Sequence, residues 1–338
     1  MIHYSSLNEN HVFIMKKIFE HTINSRILTT YNSIENELKL DTKRNYLFDL
    51  SYLTVLDVLG DNSLDFLQGQ LTCDVRLISD IQMLQGIQCN LKGRILALLD
   101  VILWKNYNLI LSADIAESTQ TSLNKTAQLS RVSLQRNSDL KIWGFYLQNN
   151  SDLIPDKTFL PNNLYAQAQT PDYCYYHLGN GFYIFIIQAE IEEKFCKSFK
   201  ERDQLLGSLT WHTLRLHQRQ FEIYPESRGL FLPHRLGLHQ TQYISFNKGC
   251  YKGQEIIART HYKATIKHEL NLYIIQSEHR VHSGQKVLKV DEEVELGELI
   301  DYSPLGDKCY LIAVSILKQA PQIVRLEGQS QSISLEKV

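Results

Sequence analysis

The chain has 338 residues, too many for one small core and suited to two or three domains. Its 35 Lys and Arg against 37 Asp and Glu leave a formal charge of -2, which excludes a generally basic nucleic-acid binder but leaves room for a local basic groove. With 43% hydrophobic and 21% charged residues it is globular and not disordered, and 16 glycines are few enough that a cluster of them carries information.

The first residues do not read as a signal peptide, because Glu9 and His11 lie where an apolar region would sit. Met15, followed by Lys16 and Lys17, is a candidate alternative start, which would make residues 1–14 a dispensable extension. Residues 16–45 are polar and mixed and predict a loosely packed leading segment. From there the pattern sharpens. Residues 52–58 read as a buried strand, and Gly60-Asp61-Asn62-Ser63 as a turn and helix cap ahead of Leu64, Phe66, Leu67 and Leu71 on one face. Strands are predicted at 83–89 and 95–104 around Asn90-Leu91-Lys92-Gly93, then at 107–111, 132–135 and 140–147, with a helix over 113–129.

Residues 149–171 hold three of the seven prolines and read as a long connection. Strands at 173–177 and 182–187 flank Gly179-Asn180-Gly181, a hairpin signal, and helices follow at 191–206 and 211–219. Past a boundary near residue 263 the pattern becomes short strands at 286–290, 294–296, 310–317 and 323–326, as in a small β-barrel. The whole is an α+β chain: residues 1–45 an extension and leading segment, 46–262 an α/β region, and 263–338 a C-terminal β-barrel.

The six cysteines form no C-x-x-C pair and have no histidines at zinc-finger spacing, so neither a metal site nor a disulfide framework is expected, and a reducing cytoplasm is the natural setting. No stretch reaches the roughly 18 apolar residues of a membrane span, so no membrane partner is expected.

The densest chemistry lies in Ser245 to Tyr262. Gly249 and Gly253 fall four residues apart, Cys250 sits between Lys248 and Lys252, and Arg259 and His261 follow. A helix beginning near Gln254 aims free N–H groups at the loop, and with the cations this favours a thiolate at Cys250. A free cysteine is as often a small buried hydrophobe, and the residues alone leave both readings open. The second patch, Asn90-Leu91-Lys92-Gly93-Arg94, reads equally as a plain hairpin turn with solvated cations.

The segment Lys248-Gly249-Cys250-Tyr251-Lys252-Gly253-Gln254-Glu255 resembles the signature of the YgfZ-type folate-binding proteins, paralogues of the glycine-cleavage aminomethyltransferase, the T-protein. The resemblance extends over residues 66–75, 88–94 and 232–246 and most of the chain beyond Tyr52. It implies two intertwined α/β lobes and a barrel around a central folate-binding hole. It also implies tetrahydrofolate as cofactor and a role in supporting iron–sulfur enzymes, including those that thiomethylate tRNA. On that resemblance Cys250 is the functional thiol, and Asn90, Lys92, Gly93, Arg94, Lys248, Gly249, Tyr251, Gly253, Gln254, Glu255 and Arg259 belong to the folate site, with Lys92, Arg94, Lys248 and Arg259 as candidate cations for the folate tail.

Departures from the T-protein pattern matter. The paired aspartates of T-proteins fall at Ala97 and Leu98 here, and Asp100, two residues on, is expected to point differently along the strand. Their Arg-Leu-Glu run is Arg215-Leu216-His217, and Ala264 stands where relatives often have glycine. Without those carboxylates proton handling at the folate amine has no obvious agent. The leading expectation is therefore a folate-dependent accessory factor for iron–sulfur proteins, acting with a client or assembly protein, since one thiol cannot supply the four ligands a cluster usually takes. A true aminomethyltransferase and an RNA-binding regulator of tRNA modification are the rivals, with near-neutral charge against direct tRNA binding.

Overall fold

The structure, a computed structural model, describes residues 18–155, 159–290 and 292–338. The candidate start at Met15 and the extension through residue 14 lie outside them. Three large sheets organise the chain. A five-stranded antiparallel sheet runs in the order Leu84–Cys89, Ile95–Trp104, Asn106–Ser112, Leu53–Leu59, Ser133–Asn137. A six-stranded sheet runs Gln167–Gln169, Tyr173–His177, Phe182–Gln188, Leu140–Tyr146, Tyr46–Asp49, Leu205–Leu206, its last pair parallel. The largest core lies between these two, joining Val55 and Ile110 of one to Ile142 and Ile184 of the other.

The third sheet has seven strands, from Ser332–Ser334 at one edge to Glu336–Lys337 at the other. Only Leu335 separates those two edges along the chain, so the sheet curls into a half-barrel. None of the described helices is long and apolar enough to cross a membrane.

The leading segment departs from expectation. Residues Phe19–Ile23 and Arg26–Thr30 form a hairpin whose Ile23 and Leu28 are buried with half-barrel residues such as Val314. The Glu37 carboxylate pins it: Oε2 accepts from the Tyr31 and Asn32 amides, and Oε1 from the Gly207 amide at 2.7 Å and the Thr210 hydroxyl at 2.8 Å. Mixed polarity misled here because the buried polar groups are paired with one another. The helix expected over 191–206 stops at Glu201, where Asp203 takes a left-handed φ of +53° and Leu205–Leu206 joins the six-stranded sheet beside Tyr46–Asp49.

Helix Ser208–His217 joins the six-stranded sheet to the half-barrel and positions the interior. Trp211 packs flat against Gly144, where a Cβ would come within 2.6 Å of its ring. On the same helix His212 Nε2 lies 3.0 Å from the Tyr302 carbonyl oxygen, and the Thr213 hydroxyl 2.6 Å from that of Ser303. The helix thus touches the six-stranded sheet on one side and the half-barrel on the other.

Candidate functional site

The two glycine-bearing segments meet. Gly253, with φ +86°, caps helix Gln254–Lys263, and a Cβ there would stand 2.6 Å from the Asn90 carbonyl oxygen. Gly93, with φ +67°, lies under Ile256 and Ile257 of that helix. Only glycine combines the left-handed turn with this approach. Asn90 shapes the hairpin by accepting from the Lys92 amide at 2.9 Å and the Arg94 amide at 3.0 Å. Lys92 and Arg94 are exposed, and Arg94 donates to the Leu230 carbonyl.

Lys248 turns inward. It is 6% exposed, and its ammonium donates to the carbonyl oxygens of Gln68, Leu71 and Cys73, each at 2.7 Å. All three of its protons are used, and burial pushes it down to about 8. Its ammonium also lies 5.2 Å from the centroid of the buried Tyr251 ring, whose hydroxyl has no hydrogen-bond partner. The tail-binding role expected of Lys248 therefore has no free donor behind it. The lysine instead ties the loop to the end of helix Ser63–Gln70.

Lys252 adds a backbone bond to the Gly69 carbonyl at 3.1 Å. Above this anchorage Gly249 and Cys250 are exposed, as are Glu255 and Arg259 on the following helix, while Gln254 is partly covered. Cys250 is the exposed thiol of the six. Burial pushes Cys73, Cys89 and Cys196 up to about 12, and Cys174 higher still. Among the described residues no group of three or more His, Cys, Asp or Glu is placed to hold a metal ion.

A separate cavity of about 80 Å³ lies where the five-stranded sheet, the six-stranded sheet and helix Ser208–His217 meet, and none of the twelve residues singled out from the sequence lines it. Leu98, Ile110, Ile184, Trp211 and Phe221 give apolar walls, and Gln85, Asp100, Arg215, Glu222 and Tyr243 give polar groups. Asp100 was expected to point away from the position of Leu98, and this is corrected: residues two apart on a strand share a face, and both line the cavity. The interior therefore does hold carboxylates. Asp100 Oδ1 accepts from the Gln85 amide at 2.9 Å and Oδ2 from the Tyr176 hydroxyl at 2.8 Å, while burial raises its affinity for a proton.

Arg215 faces the same space. It is 8% exposed, and its guanidinium stands 5.4 Å from the Phe182 ring centroid and 5.9 Å from that of Trp211. Among the described residues it donates no hydrogen bond, and burial lowers its hold on the proton. A buried guanidinium without an acceptor is costly and suits a ligand that brings one.

Glu222 is held from behind. Arg26 of the N-terminal hairpin reaches its Oε2 at 3.1 Å, binds both Asp114 oxygens at 2.9 Å, and donates to the Ile223 carbonyl at 2.8 Å. Ser112 and Tyr52 also donate to Glu222. Its backbone amide donates to Asp301 of the half-barrel at 2.8 Å, and Asp301 in turn accepts from the Tyr224 hydroxyl at 2.7 Å. Burial works against a charge on His212, but Asp301 at 3.5 Å, Glu222 and the Tyr302 carbonyl together outweigh it and raise the imidazole's affinity for a proton.

Sequence reasoning missed the cavity residues. The available signal was Asp100 itself, a lone carboxylate inside the apolar run 95–104, and Arg215 on a helix that is buried nearly all round.

No family model matches the chain. Among curated proteins, the tRNA-modifying protein YgfZ of Colwellia psychrerythraea is 25% identical over 298 residues, covering 85% of this chain and 90% of that one. The tRNA-modifying protein YgfZ of Klebsiella pneumoniae is 28% identical over 237 residues, covering 66% and 70%. Among solved structures, the glycine cleavage system aminomethyltransferase T of Bartonella henselae matches with a TM-score of 0.71 at 13% identity, over 95% of this chain and 93% of the other, which is a likeness of fold.

Proposed function

We propose, for a chain that is a homologue of the YgfZ proteins with the fold of an aminomethyltransferase T, that it is a folate-binding accessory protein of tRNA modification, serving iron–sulfur enzymes through Cys250. The observation that carries the folate reading is Arg215, a buried guanidinium with no acceptor, facing the Asp100 carboxyl across an apolar-walled cavity. A pterin presents a carbonyl oxygen beside a cyclic amidine edge. The guanidinium suits the oxygen, and the carboxyl groups of Asp100 and Glu222 suit the N–H edge.

Cys250 supports the second half of the reading. It is the exposed thiol, on a loop fixed by Lys248, Gly253 and the Asn90 hairpin, and it does not line the cavity. A thiol so placed is open to a partner protein, and a cluster or metal held there needs ligands from that partner. Two experiments test the reading separately. Calorimetry with tetrahydrofolate should show binding to the wild type and loss of at least tenfold in affinity for Arg215→Leu; equal binding removes the cavity assignment. Complementation of a strain lacking the homologue, with iron–sulfur enzyme activity and thiomethylated tRNA as readouts, should fail for Cys250→Ser; full rescue removes the thiol's role.

One observation favours a second reading, tetrahydrofolate-dependent aminomethyl transfer: Asp100 stands on the cavity wall beside Leu98. Burial favours its protonated form, and Gln85 and Tyr176 occupy both its oxygens. It is thus less free to exchange a proton than a catalytic carboxylate has to be. Ammonia release from an aminomethylated lipoyl carrier would establish this reading over the first.

A further inference from the structure

A cluster of rings lies where the Cys250 loop folds back along helix Gln254–Lys263. Phe246 stacks on His261 with ring centroids 3.9 Å apart, and Tyr262 meets the two rings edge-on at 6.0 and 4.8 Å. His234 and His239, stacked on each other at 4.7 Å, continue the cluster at 6.2 and 6.1 Å from His261. Tyr262 is 68% exposed, and His261 is exposed beside it. Aromatic faces left in water next to one another offer a platform for stacking.

Cations rim the platform. Arg259 and Lys263 stand one helical turn apart, about 6 Å along the axis. The Lys267 carbonyl accepts from the Lys318 amide, which sets those two lysines side by side, and Arg219 donates to the Leu270 carbonyl at 2.9 Å. All five side chains are exposed, and none pairs with a carboxylate among the described residues. Residues 254–270 bring only Glu255 and Glu269 against them. The near-neutral charge of the whole chain hides this local excess. Arg219 and Lys318 also line a hollow with His234 and His239. His234 is 7% exposed, yet neither of its ring nitrogens has a hydrogen-bond partner, nor has Nδ1 of His239. Imidazoles left unpaired beside unpaired cations mark a place for a polar guest that both donates and accepts.

We infer that this surface binds an unpaired stretch of RNA, its phosphates on Arg259, Lys263, Lys267, Lys318 and Arg219 and its bases stacked on His261 and Tyr262. An acidic protein would satisfy the cations but leave the rings without a role, and a duplex keeps its base faces covered. The choice of RNA rests on the tRNA-modification reading above. Phe246 and Cys250 share one loop, so a strand held here runs beside the thiol.

The test is fluorescence anisotropy with a labelled RNA hairpin that has an unpaired loop and with a blunt RNA duplex of equal length, at two salt concentrations. Wild type should bind the looped hairpin about tenfold tighter than the duplex. Tyr262→Ala should weaken hairpin binding about fivefold or more with the salt dependence unchanged, because stacking and not charge is lost. Lys263→Gln/Lys267→Gln should weaken it too and should reduce the slope of log K against log salt by about 1.4, two phosphate contacts being removed. All these side chains are exposed, and unaltered melting confirms the fold. No binding by wild type, equal affinity for hairpin and duplex, or a Tyr262→Ala variant that binds as wild type does overturns the inference. Displacement of the hairpin by poly-L-glutamate at equal charge concentration would mark an acidic-protein surface instead and overturn it as well. Each of these failures leaves tetrahydrofolate calorimetry and Cys250→Ser complementation to judge the reading on which it rests.

Discussion

Replacing Lys248 with methionine isolates what the lysine does, because the aliphatic stem stays and only the ammonium is lost. Three carbonyl oxygens, of Gln68, Leu71 and Cys73, then lose their donor. Leaving a buried acceptor unpaired costs about 1–3 kcal/mol, and relief from burying a charge offsets part of the total, so a net loss of about 2–4 kcal/mol is expected. In a chain of this size that lowers Tm by roughly 3–6 °C.

The pH dependence adds a second signature. Burial holds the folded lysine near 8, against 10.5 for the free side chain. Below about pH 8 both states carry the proton, and the penalty for the buried charge is borne in full. Between about pH 8 and 10.5 the unfolded chain keeps a proton that the folded one has released, so this group adds stability as pH rises. Wild type should therefore pull further ahead of Lys248→Met from pH 8 to pH 10, by about 1–2 kcal/mol, in urea melts followed by tryptophan fluorescence. A variant as stable as wild type at pH 7, with tenfold weaker folate affinity, would refute the anchoring role and return Lys248 to the ligand.

Gly253→Ala should destabilise by about 2 kcal/mol or more, since it combines a left-handed φ with a Cβ 2.6 Å from the Asn90 carbonyl oxygen; a melt within 1 °C of wild type would contradict this. Titration with a thiol reagent on the native protein should modify Cys250 first and the partly covered Cys309 more slowly, with Cys73, Cys89, Cys174 and Cys196 protected until unfolding; early labelling of a buried cysteine counts against the packing described. Arg215→Leu should leave stability unchanged or raise it by about 1 kcal/mol, because an unpaired buried charge is removed, and a large drop in Tm would mean that the guanidinium has a structural partner.

The secondary structure was largely legible where periodicity and punctuation agree. Strands Leu84–Cys89 and Ile95–Trp104 and the hairpin around Gly179-Asn180-Gly181 follow directly from apolar runs and turn residues. The N-terminal hairpin was not legible, because its burial depends on Arg26 and Glu37 meeting partners far away in the chain. The site divided along the same line. The packing of the Gly93 turn against the Gly253 cap follows from two motifs that each need glycine. The fate of Lys248 could not be read, since nothing in a loop sequence says whether a lysine turns to solvent or into a ring of carbonyls. The cavity was hidden for a different reason: its polar residues, Gln85, Asp100, Arg215 and Glu222, come from separate elements and form no motif.

The ion network behind Glu222 bears on the order in which the molecule can assemble. Arg26, Asp114, Glu222 and Asp301 are drawn from the N-terminal hairpin, the helix Ala113–Ala127, the segment after helix Ser208–His217, and the half-barrel. They span residues 26 to 301, so a nascent chain lacking the half-barrel leaves the Glu222 amide without its Asp301 acceptor and the network incomplete. Affinity for the cavity's occupant should then arise late and all at once, after the longest-range contacts close. A ligand that recognises only the completed chain draws every element toward the native state together. A truncated or misassembled copy therefore lacks the completed cavity wall even where its Cys250 loop is present.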